Sequence, residues 1–281
     1  MGWHGHLQLD YSFDGTRTTA HDRHHGPLRV LQRLYPEGDA VCHHVLVHPP
    51  GGVVGGDVLA LDATLASGSH AVITTPGATR FYRSNGPLAE QQVNATLADG
   101  ARLEWLPLES IAYRRCRVEN RLRFTLAPGA QMMGWDVLAL GLPAAAEPFD
   151  DGDFLQQLEL PGVWLERGRL RGDDQLLLHG PLGLAGRSVM ATLWLADGRP
   201  IGRERSEALI DAARALIDAC PAATGGAALV AGVTAPDESL LVLRALAHRV
   251  EPAMALLQQV WAAWRLAHWG LSPCAPRVWR T

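Results

Sequence analysis

A chain of 281 residues with 47% hydrophobic and 19% charged residues has an ordinary globular balance and enough apolar material for a sizeable core. Its net charge of −4 and pI near 6.3 argue against a nucleic-acid or anionic-membrane surface. All 25 basic residues are arginine, so there is no lysine for a P-loop, a Schiff base or a general base.

The N-terminus, Met1-Gly2-Trp3-His4-Gly5-His6, lacks the layout of a secretory signal, and no apolar run is long enough to span a bilayer. A soluble, cytoplasmic protein is the expectation. From there to about Ala196 the dominant periodicity is two. Residues 57–65 place Leu59, Leu61 and Leu65 on one face, and residues 89–97 and 187–195 read as further strands. Asp99-Gly100 and Asp197-Gly198 fall where such strands should turn. Helical spacing appears late. Ser206 is placed to cap a helix over 207–217, and a strand is expected over 240–245. Pro252 suits the first turn of a second helix, whose stripe of Met254, Leu257, Trp261 and Trp264 ends before Gly270. With no linker and no repeat, residues 1–281 read as one mainly β domain with two C-terminal helices.

Nine of the twelve histidines precede residue 71, which raises the question of metal binding. In a strand, His43 and His44 point to opposite faces and cannot share an ion. His44 and His48 share a face but lie about 13 Å apart by strand rise. The adjoining Gly51-Gly52-Val53-Val54-Gly55-Gly56 matches no phosphate-binding pattern and reads as a compact turn with positive-φ positions, leading into Asp57. Glu104, Asp136 and Glu166 lie in strand-like apolar surroundings, where a carboxylate needs an arginine, a metal or an internal water path. Arginine is the default partner. Cys42, Cys116, Cys220 and Cys274 are far apart with no CxxC pair and read as buried free thiols. No GxSxG elbow is present, and Cys42 beside His43 makes a poor dyad.

Several motifs, in order over nearly the whole chain, resemble the urease accessory protein family UreD, called UreH in some bacteria. They are Gly26-Pro27-Leu28, Tyr35-Pro36-Glu37-Gly38, Cys42-His43, and His48-Pro49-Pro50-Gly51-Gly52-Val53-Val54-Gly55-Gly56-Asp57. Further along come Thr74-Thr75-Pro76-Gly77-Ala78-Thr79-Arg80-Phe81-Tyr82-Arg83-Ser84, Leu103-Glu104-Trp105-Leu106-Pro107 and the closing Pro276-Arg277-Val278-Trp279-Arg280-Thr281. Gly141-Leu142-Pro143 departs from the Gly-Arg-Pro frequent in the family. The resemblance implies a β-helix-like stack of short strands with two helices toward the C-terminus. It also implies a non-catalytic maturation factor that, with UreF and the GTPase UreG, docks on apo-urease and helps nickel reach its active site. Dimeric assembly through UreF and UreG is compatible with it.

Nickel would be held weakly and in transit, with no permanent cofactor, because a closed cage of imidazole or thiolate would not release it. By motif placement, Asp57, Asp136 and Glu166 are expected to line an internal polar passage, joined by Glu104 and His48. Two other readings remain open at this stage: a metal-dependent hydrolase using the region of His43, His44 and His48, and a pure scaffold without metal contact.

Overall fold

A computed structural model describes residues 2–220 and 229–280; Met1 and Thr281, the outer ends of the two terminal motifs, lie outside the described residues. The first half of the chain supplies His4–Phe13 (β1), Thr18–His25 (β2), Arg29–Leu34 (β3), Val41–Val47 (β4), Val58–Leu65 (β5), His70–Thr74 (β6), Thr79–Phe81 (β7) and Ala89–Leu97 (β8). It continues with Arg102–Leu106 (β9), Ser110–Ala112 (β10), Arg117–Leu126 (β11), Gln131–Leu140 (β12), Asp153–Leu160 (β13) and Trp164–Arg171 (β14). A short helix Gln175–His179 (α1) precedes Val189–Asp197 (β15), Arg203–Asp218 (α2), Leu229–Asp237 (β16), Leu240–Ala247 (β17) and Val250–Trp269 (α3).

These strands form two sheets. Sheet A runs β14-β13-β11-β8-β5-β1-β2, and sheet B runs β16-β17-β15-β12-β9-β6-β4-β3, with β7 and β10 attached beside β12. From β4 to β13 the chain passes repeatedly between the sheets. Successive visits add parallel neighbours: β5, β8, β11 and β13 in one sheet, β4, β6, β9 and β12 in the other. That is the expected β-helix-like stack. It also explains the sequence pattern, since a parallel coil buries alternate residues between the sheets. Leu59, Leu61 and Leu65 all point inward.

Helices α2 and α3 form a third layer on the outer face of sheet B. Helix α3 presents Met254, Leu257, Trp261 and Trp264, all buried, and stops at Gly270, whose φ of 68° gives a left-handed C-cap. Helix α2 starts earlier than the sequence suggested. Gly202 (φ 85°) occupies its N-cap without a side-chain hydrogen bond, and the Ser206 amide already bonds the Gly202 carbonyl. The turn out of β15 needs a positive-φ residue, and that requirement sets the helix start ahead of hydroxyl capping. Helix α1 was not expected from the sequence. It is one and a half turns long, capped by Asp174 Oδ1 accepting from the Leu177 amide at 2.9 Å. None of the helices is long and apolar enough to cross a membrane among the described residues.

Candidate functional site

The inter-sheet layer is not filled throughout. A cavity of about 270 Å³ opens between the turn after β4 and the segment linking β6 to β7, and His48, Gly52, Thr75, Arg80, Trp105 and Asp136 are among its lining residues. A break in the ladder creates it. Strand β12 pairs with β9 up to Gly134 and with β10 only from Leu138, so residues 135–137 have no partner on that side. Asp136 sits in this gap with its side chain turned inward, on the face it shares with Leu138 and Leu140, as the alternation predicts.

The turn that forms one lip of the mouth is shaped by close approach. A Cβ on Gly52 would lie 2.1 Å from the Tyr82 ring, and one on Gly55 would lie 2.1 Å from Ser84 Oγ. Gly51 and Gly56 take φ of 78° and 96°. The turn is locked at its far end by Asp57, whose carboxylate accepts from the Trp3 amide at 2.7 Å and the Val54 amide at 2.9 Å.

Asp136 is the one of the five predicted residues with a strongly perturbed acidity. Burial pushes its pKa up to about 7, the nearby Glu166 carboxylate adds to the rise, and the Gln156 amide opposes it. No arginine pairs with it among the described residues. Glu166, on edge strand β14, is half-exposed and bonded to Arg244 of β17, with Nε at 3.0 Å. His48 is half-buried at the mouth, and burial lowers its pKa against the pull of Asp57.

Glu104 lies on the opposite face of sheet B, under α3, and is fully buried. It accepts from Trp261 Nε1 at 2.7 Å and Arg265 Nε at 3.0 Å, with His70 Nε2 at 2.8 Å. Burial alone would raise its pKa, but His70 and Arg265 more than offset this and hold the carboxyl below its usual range. Arg265 also reaches Glu37 at 2.6 Å, and Glu37 in turn meets His43 Nε2 at 2.7 Å. The structure thus brings His48 and Asp136 together around the cavity, with Glu166 electrostatically close. It places Asp57 in the mouth turn and Glu104 behind the sheet. The sequence reading missed Arg265, although its position four residues after Trp261, on the apolar stripe, signals a buried cation.

The three histidines of the hydrolase alternative go separate ways. His43 faces the helical layer and His48 the mouth. His44 is buried beside Tyr11, with Nδ1 and Oη 2.7 Å apart. Among the described residues, no three His, Cys, Asp or Glu side chains converge as a metal site. Cys42 and Cys116 are buried free thiols, whereas Cys220 and Cys274 are only half-buried.

Fold and site together define a β-helix-like protein built around an open-mouthed inter-sheet cavity with one acidic residue, Asp136, in its lining. The sequence profile of the UreD urease accessory protein family matches residues 4–280. Urease accessory proteins UreD from Leptothrix cholodnii and Variovorax paradoxus are 64% and 56% identical over the full length of both chains. That from Paracidovorax citrulli is 55% identical over 99% of each. The chain belongs to the UreD family of urease accessory proteins, and its role is in urease maturation.

Proposed function

We propose that the chain is a non-catalytic factor that acts with UreF and UreG on apo-urease in the cytoplasm and passes nickel, its cargo, through the inter-sheet cavity. The observation that carries this reading is the buried, arginine-free Asp136 carboxyl inside a cavity with His48 at its mouth. A single carboxyl leaves most of a cation's coordination shell to water and so binds it weakly. Weak, hydrated contact suits a cargo that must leave again. Glu166 tunes Asp136 through its charge and stands as a second contact. Asp57 shapes the entrance, and Glu104 supports the wall from behind through Arg265.

The test is urease activation in cells carrying the chain with Asp136→Ala or Glu166→Ala. Active urease is expected to fall severalfold while assembly with UreF, UreG and urease persists. Normal activation by both assembled variants overturns the passage. Dialysis of the purified chain separates the hydrolase alternative, for which a stoichiometric ion would be retained, from the exchangeable nickel expected here.

A further inference from the structure

We infer that Trp279, in the C-terminal 3-10 turn Arg277–Arg280, is a positioning residue that holds the mouth of the cavity from the outer face of sheet B. The inference rests on the passage reading above for its consequence, but not for its geometry.

Two segments of sheet B frame the mouth: residues 75–80, after β6, and residues 107–109, between β9 and β10. Each is fixed at its root by an indole. Trp279 Nε1 donates to Thr74 Oγ1 at 2.9 Å, and that hydroxyl donates to the Leu106 carbonyl at 2.6 Å. Trp135 Nε1 donates to the Pro107 carbonyl at 2.6 Å. The two rings pack with centroids 5.2 Å apart, and Trp261 of α3 meets both, at 5.7 Å from Trp279 and 6.3 Å from Trp135. Trp279 thus closes a three-indole cluster resting on both roots. The two segments are also tied to each other, the Leu108 amide to Thr75 Oγ1 at 2.9 Å and the Thr79 amide to the Glu109 carbonyl at 2.9 Å.

The segment after α3 forms a strap over the outer face of sheet B. Between α3 and the final turn the chain has no regular structure, and Arg265 bonded to the Ser272 carbonyl fastens its start. Arg277 and Arg280 flank Trp279 and are exposed. Half-buried Trp279 is the aromatic anchor of this segment, beside buried Pro276 and half-buried Leu271, and it packs on the outer face of sheet B rather than in the inter-sheet core.

The test is amide hydrogen exchange on the full chain, assembled with its partners, for wild type, Trp279→Ala and Trp279→Phe. The alanine variant is expected to speed exchange about tenfold at residues 75–80 and 108–110 while β5 and β8 keep their protection. The phenylalanine variant keeps the ring packing and loses only the N–H donor, so its effect is smaller. Unchanged exchange at the mouth overturns the inference, and so does a rise spread evenly over both sheets. If Trp279→Ala fails to accumulate, Trp279→Phe, which removes the N–H donor alone, is read by the same two outcomes. Urease activation is measured in parallel and falls with the loosening of the mouth. A loosened mouth with normal activation would uphold the strap and overturn the passage reading.

Discussion

Glu104 and Asp136 occupy neighbouring strands, yet their carboxyl groups face opposite electrostatic surroundings. Glu104 shares Arg265 with Glu37, so Glu104→Ala leaves a fully buried guanidinium with half its compensation. Loss of one partner from such a pair costs about 3–5 kcal/mol, to be read from the urea midpoint at constant slope. Asp136 gives the opposite sign. Its folded pKa of about 7 lies above the unfolded carboxylate value, so the folded state holds the proton more tightly. Stability from this group is complete below the unfolded pKa of about 3.9 and is lost as pH rises through 7. Asp136→Asn is therefore expected to gain on wild type between pH 5 and pH 8, by a few kcal/mol at most at about 1.4 kcal/mol per unit. An unchanged difference between the two pH values would contradict it. His44 works on the acid side, where burial lowers its pKa to about 4 and the folded state resists protonation. Its contribution is present above the unfolded value of about 6.5 and is lost as pH falls toward 4, so His44→Leu should flatten the acid limb of the stability profile.

At the scale of elements, the turn between β4 and β5 does two jobs, since it joins the sheets and forms one lip of the mouth. Gly52→Ala should push the Tyr82 ring off Tyr113, which it meets at 4.9 Å, and cost about 1–3 kcal/mol in unfolding free energy. Much of this was legible in the sequence. The alternation in residues 57–65 and 89–97, the Pro252 to Gly270 helix and the opposed faces of His43 and His44 follow from local periodicity, which the fold leaves intact. The default of an arginine for each buried acid also holds for Glu104 and Glu166. Local pattern cannot say which arginine, because Arg265 and Arg244 lie 161 and 78 residues further along the chain. Nor could it place the Asp136 cavity, which depends on where the β9 and β10 ladders part. Ser206 shows the converse error, a sound capping residue overruled by the turn that precedes it.

At the scale of the molecule, stability rests on parallel strands contributed by distant stretches of chain. Such pairing pays loop-closure entropy before contacts reward it. Refolding from denaturant is expected to be slower than about a millisecond and to show more than one phase in stopped-flow fluorescence. A single submillisecond phase would contradict the layered picture. The outer face of sheet B is the vulnerable surface in this process, since it is apolar around Trp135 and Val137 and stays uncovered until α3 docks.

The Glu104–Arg265 pair has a consequence for biosynthesis. The acid leaves the ribosome 161 residues before its cation, roughly ten to thirty seconds at ordinary elongation rates. Throughout that interval the nascent sheet has His70 but not Arg265 beside this carboxylate, on an apolar face that α3 has yet to cover. A chaperone that shields this surface, or a pause in translation that prolongs its exposure, would therefore change the yield of finished protein without altering any contact in the final fold.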